Sequence, residues 1–176
     1  MTNKHFESRA RSILFLFACV VCSTVTVTPD LPALNKVSVL IKGHIQYDGK
    51  SEYLPRTISE GSISEYGLTF RYTTTEGQER SGWDVLALFN PLTIVGFPTG
   101  QLTSTVAGTL EILKETTIIK SYTATCVQEA SKGIYYGETF SQLRRKGLIA
   151  VRDNIETQMS RDREFLEKAG SKAFLQ

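Results

Sequence analysis

Side chains that commonly carry out catalysis are sparse in this chain of 176 residues, which contains three cysteines and two histidines. His44 lies on the polar side of an alternating segment, where a solvated histidine is the simpler interpretation. The sequence holds no nucleophile elbow, no phosphate-binding loop and no metal-ligand spacing of cysteines or histidines. Two pairs of carboxylates near predicted turns, Glu60/Glu65 and Glu76/Glu79, could serve a hydrolase only if the fold brought them together. We therefore predict a protein that is not an enzyme and that uses no cofactor or metal ion.

Cys19 is the residue whose surroundings predict a definite chemical modification. A short cationic segment and then an apolar run over residues 13–18 precede it. The run is too short to span a bilayer and is typical of a bacterial export signal. The segment Leu16–Cys19 resembles the lipobox of bacterial lipoproteins, with leucine three positions before the cysteine and a small residue directly before it. This resemblance implies that residues 1–18 are removed and that Cys19 becomes the diacylated first residue of the mature protein.

Two other interpretations of the N-terminal residues stay open. A plain secretory signal would be cut nearer Ser23 or Thr24, and an uncleaved anchor would run from Ser12 to Val27, although polar residues interrupt that run. The lipoprotein interpretation is favoured. Val20 follows Cys19 where enteric-type lipoproteins of the inner membrane carry a retention aspartate. The resemblance therefore implies the periplasmic face of the outer membrane rather than the inner membrane.

The charge of the chain excludes one class of partner. The net charge of +2 comes from 20 Lys and Arg against 18 Asp and Glu, and removal of residues 1–18 leaves 17 of each. A nucleic-acid-binding protein is expected to keep a basic surplus or stripe, so we predict no nucleic-acid partner. Once Cys19 carries lipid, Cys22 and Cys126 remain. The sequence leaves open whether those two cysteines form a disulfide or stay free.

Composition divides the mature chain into a tether and one domain. Residues 19–35 hold the lipidated cysteine and a Thr-, Ser- and Pro-rich stretch that predicts a flexible tether. Residues 36–176 are enough for a single domain. Apolar and polar residues alternate over 37–47 and 66–73, and β-branched runs cover 102–114 and 116–127. The short connections predict antiparallel pairing of about five strands.

The end of the chain predicts a long amphipathic helix from Thr139 to about Lys168. Apolar residues recur there at three- and four-residue steps, and charged residues fill the other side. Thr139 and Gln142 have the spacing of a capping box. The fold class is therefore predicted as α+β, an antiparallel sheet of about five strands covered by one C-terminal helix. Arg144, Arg145 and Lys146 are interpreted as part of a solvated face with i,i+4 pairing.

The segment Trp83–Phe97 is the most unusual part of the mature chain, because it is strongly apolar and also rich in turn-forming residues. It predicts either core strands or an apolar loop that contacts a partner or lipid. The candidate interaction residues in it are Trp83, Leu86, Phe89, Leu92, Ile94 and Phe97. A tryptophan before such a segment, then a polar strand pair and an amphipathic helix, is similar to small uncharacterised envelope lipoproteins of bacteria.

These observations predict a non-enzymatic envelope lipoprotein with a structural, assembly or protein-interaction role. Its membrane contact would be the lipid anchor, and its partner would be another envelope protein that binds the sheet edge or Trp83–Phe97. A periplasmic carrier of a small apolar ligand or lipid is the alternative, and an envelope hydrolase is a second. A carrier would need an apolar pocket between helix and sheet, whereas an interaction module would pack that space solid.

Overall fold

The computed structural model describes residues 23–32, 38–61, 64–79, 100–132 and 137–172. A six-stranded sheet curls into a half-barrel, and a helix packs against it. The predicted α+β class is confirmed, whereas the sheet has six strands and is mixed rather than antiparallel. The elements are β1 (Ser23–Thr28), β2 (Ile41–Gln46), β3 (Ile58–Glu60), β4 (Tyr66–Glu79), β5 (Gly100–Lys114), β6 (Thr117–Lys132), α1 (Phe140–Arg161) and α2 (Arg163–Lys172).

Strands β4, β5 and β6 form the centre of the sheet, in the order β1-β6-β5-β4-β2-β3. They pair antiparallel over nearly their whole lengths, which is the predicted direction of pairing. The tight turn between β5 and β6 includes Glu115, which has a positive φ of 57°. A turn predicted at Glu76–Gly77 is wrong, because both residues continue β4 and pair with Ser104 and Thr103.

The antiparallel prediction fails at β2, which lies between β3 and β4 and pairs parallel with both. These parallel pairs need no helical crossover, because β3 and β4 pair with different halves of β2. Strand β3 pairs with Ile41–Gly43 on one side of β2, and β4 pairs with His44–Gln46 on the other. Gly43 lies where the pairing of β2 changes from β3 to β4, and a Cβ atom there would lie 2.7 Å from the carbonyl oxygen of Tyr66. A side chain at this position would clash with the first residue of β4.

Strand β1 is the second departure from the sequence analysis, which placed its residues in a flexible tether. Ser23–Thr28 instead pairs antiparallel with Thr125–Ala130 of β6. Val27 packs against the main core, while Val25 is 55% exposed. Valine and threonine favour extended structure, and the outer edge of β6 supplies the pairing partner that the local sequence could not reveal.

Helix α1 begins at the predicted capping box. The backbone N–H of Gln142 donates to the Thr139 hydroxyl, and the Gln142 side chain accepts from the backbone N–H of Thr139. The predicted apolar stripe is buried, with Val151, Ile155 and Met159 fully covered. The single long helix is not observed, because α1 ends at Arg161 and α2 follows after Asp162, whose N–H bonds to two carbonyls of the last turn.

The interface between α1 and the sheet is closed by two glycines. A Cβ atom on Gly108 of β5 would lie 2.5 Å from Cγ1 of Val151, and one on Gly147 of α1 would lie 2.7 Å from Cγ2 of Val106. The buried side-chain amide of Gln128 adds a polar contact between sheet and helix. In the orientation that gives a partner to both its oxygen and its nitrogen, the oxygen accepts from the backbone N–H of Gly147 at 2.7 Å. Helix and sheet therefore touch along this line with no room for a further carbon atom.

A buried carboxylate connects α1 to the chain before β3. Glu156 is 1% exposed, although its sequence position predicted the solvent side of the helix. It accepts from the backbone N–H of Arg56 at 2.6 Å and from the guanidinium Nη2 at 2.8 Å. These bonds fold the segment around Arg56 over that side of the helix and so cover Glu156. None of the helices described here is both long enough and apolar enough to cross a membrane.

Candidate functional site

Most residues that the sequence singled out for function lie outside the described part of the chain. Cys19 belongs to this group, and so do Trp83, Leu86, Phe89, Leu92, Ile94 and Phe97. Lipidation of Cys19 and the interaction role of Trp83–Phe97 therefore stay predictions.

Among the described contacts, Glu60 is the only one of the paired carboxylates that meets His44. The His44 ring nitrogen Nδ1 lies 3.2 Å from Oε1 of Glu60, and both side chains are largely exposed. The Glu60 carboxylate also accepts a hydrogen bond from the backbone N–H of Ile45. This side-chain bond takes the place of a strand partner for β2 beyond the end of β3. Glu65 pairs with Lys114, and Glu76 pairs with a residue of α1.

The described residues include no group of three or more histidine, cysteine or acidic side chains that could hold a metal ion. Cys126 is a free, fully buried thiol, and this burial raises its pKa. A raised pKa lowers the thiolate fraction, so the side chain behaves as a small apolar core residue.

A cleft of about 690 Å³ opens at the first two turns of α1 and is the site that the sequence analysis missed. Its walls come from the loop after β2, from the middle of β4 and from α1. The lining residues are Asp48, Gly49, Lys50, Tyr53, Tyr72, Ser141, Gln142, Arg144, Arg145 and Leu148. Its volume is within the range of ligand sites, and its lining combines polar and apolar surface in nearly equal parts.

Aromatic packing holds the loop wall of this cleft. The Tyr47 ring lies 5.3 Å from Phe70 and 6.2 Å from Tyr72, measured between ring centroids. Its hydroxyl donates to the carbonyl of Lys50 at 3.2 Å, which fixes the loop. Burial and the neighbouring Tyr72 both raise the pKa of the Tyr47 hydroxyl, so it stays a neutral donor. A Cβ atom on Gly49 would overlap this hydroxyl, which explains the glycine there.

The rim of the cleft carries the cations that the sequence analysis assigned to a solvated helical face. Arg144 donates to Glu76 through Nε at 2.9 Å and Nη2 at 2.5 Å. Arg145 meets Glu52 at 3.3 Å with 64% of its side chain exposed, whereas Lys146 pairs with Glu138.

These partners lie in the sheet, in the loop after β2 and before the helix, so the predicted i,i+4 pairs do not account for the three cations. The Tyr53 hydroxyl, followed by the nearby cations, lowers the pKa of Glu52 and keeps it ionised.

The cleft borders a strand edge that is open among the described residues. Strand β2 pairs with β4 only over Gly67–Thr69, so the described part of the chain places no strand beside Phe70–Glu79 on that side. Tyr72 lies in this unpaired stretch and also lines the cleft. The residues Thr75–Glu79 are all exposed. The outermost strands of the described sheet are β1 and β3, and β1 presents a further edge at the end of the sheet that is separated from β4 by β5 and β6.

Comparison with known proteins adds no relative, because no family model, curated protein or solved structure matches the chain.

Proposed function

We propose that the protein is a non-enzymatic lipoprotein of the bacterial envelope, anchored through Cys19 on the periplasmic face of the outer membrane. In this proposal its domain binds another envelope protein and serves a structural or assembly role. The lipobox-like segment Leu16–Cys19 supports the anchor. The close packing of α1 on the sheet and the unpaired strand edges of the domain support the interaction role.

The observation that carries the interaction role is the solid contact between α1 and the sheet. A carrier of an apolar ligand would need a cavity there, yet a single carbon added at Gly108 or Gly147 would overlap a valine. The open cleft at the start of α1 has a lining of mixed polarity that includes Asp48, Lys50, Arg144 and Arg145, and these charges are a poor match for the hydrocarbon chain of a lipid. Among the described residues, the outer sides of β1 and β3 and the part of β4 beyond Thr69 have no strand partner, and such edges readily pair with another chain.

Acylation of Cys19 is tested by metabolic labelling with a fatty-acid analogue. We expect label on the natural protein and on Cys22→Ala, and neither label nor membrane retention for Cys19→Ala. Cys22→Ala is the matched control because it removes a neighbouring thiol and leaves the lipobox-like segment intact. Labelling that persists in Cys19→Ala would contradict the lipoprotein assignment.

The interaction role is tested by photocrosslinking in intact cells. A photoreactive amino acid is placed at Thr75 on the β4 edge, at Thr26 on the β1 edge, and at Arg161 on the exposed surface of α1 as the control. We expect a discrete adduct of constant mass from at least one edge and none from the control position. Absence of adducts from both edges would refute the sheet-edge form of the proposal.

A further inference from the structure

We infer that the groove along the unpaired edge of β4 binds an extended, acidic peptide segment of the partner by strand addition. This inference rests on the proposed interaction function and names its surface and its ligand class. The surface, called the β4 groove below, consists of the edge Arg71–Glu79 and the cleft at the first two turns of α1.

The backbone of β4 can accept an added strand beyond Thr69. Beyond Thr69 its side opposite β5 carries alternating N–H and C=O groups with no strand partner among the described residues. Five consecutive exposed residues, Thr75–Glu79, keep this edge accessible. An added strand would lie about 4.8 Å away and would satisfy these groups by main-chain hydrogen bonds.

The cleft lies where alternate side chains of an added strand would point. Tyr72 and Glu76 face α1, since both alternate with residues on the outer side of β4 and Glu76 reaches Arg144. Side chains of a neighbouring strand on the same face would enter the space between Tyr72 and the start of α1. Tyr53 and Leu148 give this space an apolar wall.

The charges at the rim favour acidic side chains on the occupant. Three cations and one anion line the cleft, and the edge of β4 adds Arg71, Glu76 and Glu79 to the groove. Arg144 is engaged by Glu76 through two bonds, whereas Arg145 has a longer bond to Glu52 and a mostly exposed side chain. Lys50 has no ion pair within 4 Å among the described residues, although its charge helps to lower the pKa of Glu52. Arg145 and Lys50 are thus the groups that a carboxylate would meet, in competition with Glu52.

The probe is a phage-displayed library of random dodecapeptides selected on the immobilised full-length protein. We expect enriched sequences that alternate β-branched or aromatic residues with Asp or Glu. Synthetic versions are then measured by fluorescence anisotropy against the natural protein, Arg145→Glu and Arg161→Glu. Both arginines are exposed on α1, so the second variant is a matched control for the charge change.

The inference expects Arg145→Glu to weaken binding about tenfold or more, because a charge-assisted contact becomes a repulsive one, and Arg161→Glu to leave affinity within about twofold. Methylation of the peptide backbone nitrogens, one at a time, distinguishes strand addition from side-chain docking. Strand addition predicts that alternate positions lose binding and the positions between them do not. Uniform tolerance, absence of enriched peptides, or equal effects of the two arginine variants would overturn the inference.

Failure of this inference can be told apart from failure of the proposed function by the crosslinking positions. Adducts at Thr26 together with no peptide binding in the β4 groove would overturn this inference but not the proposed function, because the protein would then bind its partner through the β1 edge. A crosslink from Thr75 to residues 80–99 of the same chain would show that the chain covers its own edge, and it would also overturn strand addition by a partner.

Discussion

The contact between Gly108 and Val151 gives the sharpest test of how α1 sits on the sheet. In Gly108→Ala the new methyl carbon would lie 2.5 Å from Cγ1 of Val151. Carbon atoms prefer a separation of about 3.5–4.0 Å, so helix and sheet must part by about 1 Å or Val151 must leave its rotamer. Valine has essentially one rotamer in a helix, which makes the second route costly.

The expected magnitude follows from two opposing effects. Overpacking of a core costs about 1–3 kcal/mol, while replacing glycine inside a strand returns about 0.5–1 kcal/mol. We therefore expect Gly108→Ala to lower the free energy of unfolding by about 1–2 kcal/mol. Gly77→Ala in β4 is the matched control, because nothing lies within 4 Å of its Cβ position. That control should be neutral or more stable by up to about 1 kcal/mol.

The assay is urea denaturation of the purified protein, with the midpoint compared at an unchanged m-value. Val151→Ala alone should destabilise by about 1–3 kcal/mol through the methyl groups it removes. In the double variant the alanine at 108 occupies the space left by the valine, so the two losses should fall short of additivity by about 1–2 kcal/mol. Additive losses, or a stabilised Gly108→Ala, would refute the contact and with it the solid interface that supports the proposed function.

Three further predictions address the packing of α1 and the core thiol. Ile155→Ala should lower the free energy of unfolding by about 2–4 kcal/mol, since Ile155 is fully buried. Asp153→Ala should change it by no more than about 0.5 kcal/mol. Equal losses for the two variants in urea denaturation would mean that the helix is not docked on the sheet. Glu156→Gln should cost about 1–3 kcal/mol because it weakens the charge-assisted bonds from Arg56, and a thermal melt indistinguishable from the natural protein would contradict their role. Burial raises the pKa of the Cys126 thiol in the folded protein, so the contribution of the neutral thiol to stability is complete below its ordinary pKa and is lost as the pH rises through its folded pKa. Cys126→Ala should therefore weaken the fall in the free energy of unfolding at alkaline pH. An unchanged dependence of that free energy on pH would refute this prediction.

Local patterns in the sequence predicted the elements whose partners are close along the chain. Alternation in β4 and the two β-branched runs of β5 and β6 identified three strands, and the short connection between the two runs predicted the pairing of β5 with β6 correctly. The spacing of Thr139 and Gln142 located the start of α1, because a capping box is satisfied by residues three apart. Each of these features depends on backbone hydrogen bonds or side-chain periods within a single segment.

Other features depend on partners far away in the chain. Ser23–Thr28 has strand propensity, but it becomes a strand only because β6, about a hundred residues later, leaves an edge open to it. The parallel pairing of β2 requires the stagger between β3 and β4 and the small residue at Gly43. Glu156 is buried because Arg56 reaches it from before β3, a contact that helical periodicity could not predict.

The sequence by itself determined the central strands and the start of the capped amphipathic helix, since each is written in residue type and short-range spacing. The proposed export and lipid anchor likewise rest on the sequence pattern alone. Only the tertiary structure decided where the sheet stays unpaired and where the cleft opens. Strand β2 leaves β4 after Thr69, and the loop after β2 then faces the first turns of α1. Both results arise from the mutual placement of β2, β4 and α1, because the register of pairing and the docking angle of a helix are set by contacts between distant segments.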